Sequence, residues 1–212
     1  MKTDGSNAIQ ILLLVGGLSL VPAALFTLTG FTRILIVLGF IRTGLGTPTA
    51  PPNQVLVGIA LFLTIFVMMP TFSKINDDAI KPLRAEKITQ AQALKRAEEP
   101  MREFMFDQTR TTDLALFAKL AKLQRPKTRK DIPTYVLIPA FIISELKTAF
   151  QIGFLIFLPF LVIDLVVSST LMSMGMVMLP PVFISLPFKI LLFVLVDGWN
   201  LVTRSIVESF HT

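Results

Sequence analysis

Apolar residues are grouped along this chain into four long regions, and their lengths are typical of helices rather than strands. The first covers residues 8 to about 41 and is interrupted only by Arg33. It is longer than the roughly 20 residues of one perpendicular membrane span, so we expect it to bend, with a kink at Pro22, or to form a hairpin. The second covers residues 53 to about 71 and ends at Met68-Met69-Pro70.

The third apolar region covers residues 132 to about 178 and contains Pro133, Pro139 and Pro159. Its length allows two membrane passes or one deep hairpin. The fourth covers residues 181 to about 206, and a loop rich in glycine and proline at residues 44–52 separates the first two. The pattern predicts an all-α protein of long kinked helices and helical hairpins.

A charged insert separates the second and third regions and divides the chain into residues 1–71, 72–131 and 132–212. From Lys74 to Asp131 there are 14 Lys/Arg and 9 Asp/Glu, against 6 and 5 in the rest of the chain. Three helical stretches are predicted: one that starts at Lys81-Pro82 and runs to Pro100, and two amphipathic ones. The apolar residues of the amphipathic stretches are Met101, Phe104, Met105, Leu116, Phe117, Leu120 and Leu123. They predict either a small helical core or a surface for neighbouring subunits.

Composition identifies the compartment and excludes several chemistries. The chain is 53% hydrophobic and 16% charged, with a mean hydropathy of +0.70, which is typical of an integral membrane protein. It has no cysteine, and its single histidine, His211, lies next to the C-terminus, where a catalytic base is poorly held. The net charge of +6 comes from mixed acidic and basic residues, which does not favour nucleic-acid binding. We expect no metal and no cofactor.

Besides Arg33 and Arg204, five charged residues lie inside the apolar regions, where each needs a partner or water. They are Glu145, Lys147, Asp164, Lys189 and Asp197. They predict either a proton or ion relay or, as we prefer, pairing between helices or subunits. Glu145 and Lys147 are two residues apart and face different sides of a helix, so each is expected to meet another helix. Asp197 and Arg204 share a helix face two turns apart.

A methionine cluster in residues 171–181 is the most distinctive segment. Met172, Met174, Met176 and Met178 alternate with other residues around Gly175, and Pro180-Pro181 follow. Gly175, Pro180 and Pro181 predict a hinge or bend, and irregular backbone at membrane depth survives only when it is buried or lines a cavity. By composition alone the methionines are ordinary packing residues; the alternative is a flexible seal around a constriction.

Several long motifs resemble the FliP family of flagellar export-gate proteins. They are FTRILIVLG at residues 31–39, LGTP at 45–48, APPNQV at 50–55, SELKTAFQIGF at 144–154, the methionine cluster with Pro180-Pro181, and VDGW at 196–199. The resemblance covers almost the whole chain in collinear order. Injectisome homologues share much of it, but TAFQ at residues 148–151 and LPFK at 186–189 are closer to the flagellar branch.

The resemblance implies a function without catalysis. It also implies that about five copies assemble with FliQ-like and FliR-like subunits and other export-apparatus components into a helical pore, through which unfolded flagellar proteins pass. By the same resemblance we expect the gate in the flagellar basal body, at the bacterial inner membrane and its periplasmic face, with the insert on the periplasmic side. The family's upstream signal peptide is not evident here, so we expect a mature form or a shortened chain.

The resemblance also assigns roles to individual residues. The pore gasket falls on Met176 and Met178, with Met174 close by, and Val177 replaces a methionine that relatives often carry. Glu145, Phe104 and Phe117 fall at positions of subunit contact.

Two other classes of function remain as alternatives. An ion-coupled membrane transporter would use Glu145, Asp164 and Lys147, but the internal symmetry common in transporters is not evident. An intramembrane enzyme would need Asp164 and Asp197 to converge, because the HExxH and GxSxG signatures are absent from the sequence.

Overall fold

The computed structural model describes Gly16, Ser19 and residues 21–123 and 128–210. Within these ranges the chain contains eight helices and no strand, which confirms the predicted all-α class. The helices are α1 (Val21–Leu28), α2 (Phe31–Leu45), α3 (Asn53–Ile75), α4 (Gln90–Gln108), α5 (Thr111–Leu120), α6 (Thr134–Ser173), α7 (Pro181–Leu195) and α8 (Gly198–Glu208). A short 3₁₀ turn, Arg129–Asp131, precedes α6.

The first apolar region bends, as predicted, between α1 and α2, whose axes differ by 82°. The described bend lies at Thr29 and Gly30, where the ring of Phe210 packs so closely that a Cβ on Gly30 would lie 2.5 Å from it. The predicted kink at Pro22 lies at the edge of the described residues, and most of the region before it lies outside them.

The helix of the second apolar region continues beyond the end of that region. Helix α3 passes through Pro70 and continues through a π-helical turn, Asn76–Ile80, to a last turn at Lys81–Arg84. The end of the apolar region at Met68-Met69-Pro70 is therefore not a helix end. A helical turn does begin at Lys81, but it ends at Arg84, so the single helix predicted from Lys81-Pro82 to Pro100 is wrong. A proline removes one helical hydrogen bond, but Val67 and Met68, in the turn before Pro70, are buried. The change in composition at residues 71 and 72 thus falls inside one helix.

The insert contains two helices rather than three. Thr89 and Gln92 form a reciprocal capping box at the start of α4, and Pro100, a predicted boundary, lies inside this helix. Met105 and Phe106 on α4 form an apolar cluster with residues of α6. The apolar residues predicted for the last stretch of the insert, in and just after α5, lie in two different environments. Phe117 and Leu123 pack against this cluster, whereas Leu116 and Leu120 are exposed. The insert therefore has a small core and a separate exposed apolar face.

The third apolar region is a single helix. With 40 residues α6 is about 60 Å long and includes Pro139 and Pro159, so the prediction of two passes or a hairpin within this region is wrong. The hairpin is formed instead by α6 and α7. The fourth region bends by 66° between α7 and α8.

The main core lies where α2 packs against α3, α6 and α8. Close approach is achieved at two glycines of this core, since a Cβ on Gly153 would lie 2.3 Å from the ring of Phe40 and one on Gly44 would lie 2.6 Å from Phe160. Helix α2 is thus held against α6 along most of the length of α2.

Two helices are long and apolar enough to cross a membrane, Asn53–Arg84 and Thr134–Ser173, and there are up to four spans if each bent pair counts as one. Only 28% and 11% of their most apolar segments are buried within the chain. Most of their apolar surface is therefore left to contact lipid or other subunits.

Candidate functional site

The methionine cluster forms a tight reversal between α6 and α7. Helix α6 ends in a Schellman motif: Met176 N–H donates to Leu171 O at 2.9 Å, and Gly175 N–H donates to Met172 O at 3.0 Å. Gly175 occupies the left-handed position of this motif with φ +75°. Pro181 is the first residue of α7, where its missing N–H costs nothing. The residues predicted as a hinge thus end one helix and begin the next.

The methionine side chains of this loop point away from the chain's own core. Met174, Met176 and Met178 are 66%, 41% and 97% exposed, and Val177 between them is also exposed. Large apolar side chains at the tip of a hairpin are unfavourable in water unless lipid or another subunit covers them. These methionines are therefore not packed within their own chain.

The hairpin that carries the loop is closed by a polar cluster. Lys189 Nζ on α7 donates to Asp164 Oδ2 on α6 at 2.7 Å, and Ser185 Oγ donates to Asp164 Oδ1 at 2.6 Å. The side chain of Lys189 is 3% exposed and that of Asp164 is 28% exposed. An ion pair with an additional hydrogen bond on such an apolar hairpin fixes which faces of the two helices meet.

A second buried ion pair joins α2 to α6. Arg33 Nε donates to Glu145 Oε2 at 2.9 Å, and Arg33 Nη2 also donates to Glu145. The remaining Arg33 N–H groups donate to Gln108 Oε1 at 3.1 Å and to Ser209 O and Oγ at 2.8 and 3.1 Å. Its guanidinium carbon lies 3.9 Å from the centre of the Phe210 ring. All five donors of a buried guanidinium are thus used, and α2, α4, α6 and the segment after α8 meet at Arg33.

A third polar contact anchors the insert to α6. Ser144 Oγ donates to Asp113 Oδ2 at 2.6 Å and accepts from Arg110 N–H at 3.0 Å. Burial raises the pKa of Asp113, but the hydrogen bonds from Ser144 and Arg110 and the charge of Arg110 outweigh this and leave the pKa below its ordinary value. The Asp113 carboxylate therefore stabilises the contact between α5 and α6 in its charged form.

The other residues predicted at the site lie apart from these clusters. Lys147 is exposed. Asp197 is also exposed, with φ 51°, and accepts backbone hydrogen bonds at the corner before α8, while Arg204 pairs with Glu208 at 2.7 Å rather than with Asp197. Phe104 packs between Phe141 and Phe210, at centroid distances of 6.0 and 6.4 Å. Phe117 is half-buried against the insert core.

Three of the five predicted charges, Glu145, Asp164 and Lys189, are paired across helices, whereas Lys147 and Asp197 are exposed and form no ion pair among the described residues. Glu145 and Asp164 lie on the same helix, 19 positions and therefore about 28 Å apart. Lys147 is the only ionisable residue between them in the sequence. In residues 21–123 and 128–210, no group of three or more His, Asp or Glu side chains is arranged to hold a metal ion.

Arg33, Gln108, Ser185 and Ser209 were not predicted from the sequence as site residues. Arg33 carried a usable signal, because it is the only charge in the first apolar region and Glu145 is an acidic residue in an equally apolar environment. Two isolated opposite charges in apolar segments are expected to seek one another. Gln108 and the two serines carried no such signal.

Comparisons with known proteins agree with the resemblance in the sequence. The FliP family profile matches residues 14–206. The chain is 60% identical over 205 residues to the flagellar biosynthetic protein FliP of Bacillus subtilis, covering 97% of this chain and 93% of that protein. It is 55% identical to the protein of the same name from Pectobacterium carotovorum, with 97% and 80% covered, and 48% identical to that of Aquifex aeolicus, with 97% and 87% covered. This chain belongs to the FliP family.

Proposed function

We propose that the chain is a non-enzymatic core subunit of the flagellar type III protein export gate. About five copies assemble with FliQ-like and FliR-like subunits and other export-apparatus components, and unfolded flagellar proteins pass through the channel they form. The assembly belongs to the inner membrane and its periplasmic face in the flagellar basal body, with residues 72–131 on the periplasmic side. A ring of methionines at the tip of each α6–α7 hairpin seals the channel.

The names of the relatives support the biological process, because each is called a flagellar biosynthetic protein. The helices support assembly in a membrane. Two of them are long and apolar enough to cross it, and most of their apolar surface is unburied in a single chain. Such surface is typical of a subunit whose contacts are completed by lipid and by other chains.

The observation that carries the proposal is the exposure of the methionines on a rigid loop. The Schellman motif fixes the backbone at the end of α6, and the Asp164–Lys189 pair joins the two helices that carry the loop. Met178 on this loop is 97% exposed. Methionine is unbranched and polarisable, so several of its side chains can part around a passing chain and close again. β-branched residues are too stiff at χ1 to do this.

Glu145, Phe104 and Phe117 affect subunit contact indirectly in this proposal. The Glu145 carboxylate is engaged by Arg33 of its own chain, and Phe104 packs between two rings of its own chain. These residues hold α4 and α6 in the arrangement that neighbouring subunits recognise. Phe117 is half-buried beside the exposed Leu116, so the outer face of α5 is a candidate contact surface.

An ion-coupled transporter is less well supported. A relay needs titratable groups within hydrogen-bond reach of one another. Glu145 and Asp164 are about 28 Å apart along α6 and each has its own cationic partner. An aspartyl enzyme is equally disfavoured, because Asp164 is paired with Lys189 and Asp197 lies exposed at the corner before α8.

The seal is tested by changing the loop in the assembled gate. The double variant Met176→Ala, Met178→Ala is expected to leak small ions from liposomes or cells while secretion persists, because the backbone of the loop does not depend on these side chains. Met69→Ala, which removes an exposed methionine from α3, is the matched control and should not leak. Unchanged ion leakage in the double variant would count against the seal.

The assembly is tested independently by native mass spectrometry after purification in mild detergent. Several copies of the chain with small apolar partners are expected. A lone monomer would argue against the pore.

A further inference from the structure

Two charged side chains of opposite sign have no partner on the apolar parts of the chain. Residues 21–71 and 132–210 contain nine Lys, Arg, Asp and Glu side chains. Six of them form ion pairs within the chain, namely Arg33–Glu145, Asp164–Lys189 and Arg204–Glu208. A seventh, Arg42, donates a hydrogen bond to an asparagine side chain. The remaining two, Lys147 and Asp197, are exposed and form neither an ion pair nor a side-chain hydrogen bond with the described residues.

Lys147 lies within an apolar face of α6. Ile143, Phe150 and Phe154 are four positions before it and three and seven positions after it, so they share its side of the helix, and all three are exposed. Asp113 feels the charge of Lys147, but that carboxylate already accepts hydrogen bonds from a serine and an arginine. The Lys147 ammonium is therefore available to a group outside its own chain.

Asp197 lies in a similar environment at the corner between α7 and α8. It occupies the N-cap position of α8, but its side chain accepts none of the N–H groups of the first turn, which is the usual role of an aspartate there. The large apolar side chains around it are also exposed: Val194, Leu195, Val196 and Trp199. The Asp197 carboxylate is likewise available to a group outside its own chain.

Both charges lie on surface that lipid or other subunits cover in the membrane. A Lys or Asp side chain at the centre of a bilayer costs at least about 2.5–3.5 kcal/mol on insertion scales. Covering an unpaired charge with the apolar face of another subunit also costs several kcal/mol, because the charge loses its water. A charge of opposite sign on the covering surface offsets this cost. Lys147 and Asp197 therefore mark places where a protein surface with a matching charge fits better than lipid tails.

The two charges are too far apart to pair within one chain. Val196 and Gly198, on either side of Asp197, line a cavity together with Ile156 of α6. Ile156 is nine positions, or about 13 Å, from Lys147 along that helix. Lys147 can therefore meet Asp197 only when the aspartate belongs to another copy of the chain.

From this arrangement we propose that Lys147 of one copy pairs with Asp197 of the next copy in the oligomer. The inference rests on the proposed function in requiring that several copies assemble. A second copy fits both surfaces because it supplies the missing charge in each case, on surroundings that are equally apolar. The contact is head-to-tail: the face of α6 around Lys147 meets the α7–α8 corner of the neighbour, and neither surface meets itself. Such a contact repeats from copy to copy.

Cysteine crosslinking tests the pair without background, because the chain has no cysteine of its own. The full chain is produced in membranes together with its FliQ-like and FliR-like subunits and treated with a short bismaleimide. The double variant Lys147→Cys, Asp197→Cys is expected to form dimers and higher multimers on denaturing gels, since each copy is linked to the next. Either cysteine alone should form none, because neither surface meets itself.

The matched control moves one cysteine along α6. Tyr135 is exposed on the same helix, 12 positions or about 18 Å from Lys147. The double variant Tyr135→Cys, Asp197→Cys should therefore form no multimers under the same conditions.

Charge exchange tests the same pair through assembly. Lys147→Glu and Asp197→Lys each place like charges opposite one another, so each should lower the assembled fraction in native mass spectrometry by at least about fivefold. The combined variant Lys147→Glu, Asp197→Lys restores opposite charges and should return to within about twofold of wild type. Circular dichroism of the single variants should be unchanged, since both residues are exposed.

The outcomes separate this pair from the proposed export gate. If native mass spectrometry of the wild type finds several copies but the double cysteine variant forms no multimers, the pair is wrong and the gate stands. Multimers from either cysteine alone, or from the control variant, would overturn the head-to-tail contact. A combined charge variant that assembles no better than either single one would also overturn the pair. A wild type that is only monomeric would overturn both the pair and the gate.

Discussion

Arg33 on α2 donates to Glu145 on α6 through both Nε and Nη2, although 112 positions separate them in the sequence. The two side chains are 2% and 1% exposed. The pair therefore fixes the contact between the first and third apolar regions, and Gln108 and Ser209 attach the insert and the segment after α8 to the same point.

Replacement of Glu145 by alanine is expected to destabilise the fold by about 3–5 kcal/mol, because it leaves the Arg33 guanidinium buried without its counterion. Assembly should fail before transport does. The midpoint of thermal unfolding in detergent and native mass spectrometry measure the two effects. Glu99→Ala removes an exposed carboxylate from α4 and should change neither. A Glu145→Ala protein that is stable and fully assembled but inactive in transport would indicate a relay instead.

The Asp164–Lys189 pair is expected to respond unequally to the loss of each partner. Asp164→Ala leaves a lysine that is 3% exposed without an anion and should cost about 3–5 kcal/mol. Lys189→Met keeps the side-chain volume and leaves Asp164 partly exposed and bonded to Ser185, so it should cost less than about 1.5 kcal/mol. Thermal unfolding of both variants measures the difference. Equal costs would show that the pair is not asymmetrically buried.

Close packing of α2 against α6 predicts opposite outcomes at two glycines. A Cβ on Gly153 would lie 2.3–2.9 Å from the Phe40 ring, so Gly153→Ala should destabilise by about 1–3 kcal/mol. Gly39 is next to Phe40 in the sequence but has open space around its Cβ position. Gly39→Ala should be neutral or stabilise by up to about 1 kcal/mol, because alanine favours helix. If both variants have the same unfolding midpoint, the helices are not in contact at Gly153.

The fold was more predictable from hydrophobic patterning than from helix-breaking residues such as proline. Hydrophobic patterning predicted the helical class and the charged insert, because burial and helical period act over many residues. The helix end predicted at Pro100 was wrong, since this proline lies inside a helix, as does Pro70 at the end of the second apolar region. One lost hydrogen bond is a local cost, whereas the packing that offsets it comes from residues distant in sequence.

The candidate site was predictable in its composition but not in its pairing. The sequence predicted that Glu145 and Lys189 would meet partners, because isolated charges in apolar regions require them. Which partner each meets depends on how α2, α6 and α7 pack. The exposure of Met178 likewise depends on packing, because its loop lies at the tip of the hairpin formed by α6 and α7. The sequence predicted two passes or a hairpin within residues 132–178 alone.

Gly175 is expected to tolerate substitution less well than its open surroundings indicate. Nothing lies within 4 Å of its Cβ position, but its φ of +75° is left-handed. Gly175→Ala should therefore cost about 1 kcal/mol through backbone strain alone. Gly58→Ala, at an equally open position inside α3, should stabilise instead. Unfolding midpoints of the two variants test this. A stabilised Gly175→Ala would show that the Schellman motif is not present.

The contact of α5 with α6 is expected to weaken in acid. The folded-state pKa of Asp113 lies below its ordinary value, so its carboxylate stabilises the folded chain above the ordinary pKa. This stability is lost as the pH falls below the ordinary pKa of an aspartate and through the lower folded-state pKa. Asp113→Asn should be less stable than wild type at neutral pH, and the difference should shrink towards zero as the pH falls below that value. Chemical unfolding of both proteins along a pH series measures it. A stability difference that is independent of pH would mean that the Asp113 charge does not contribute.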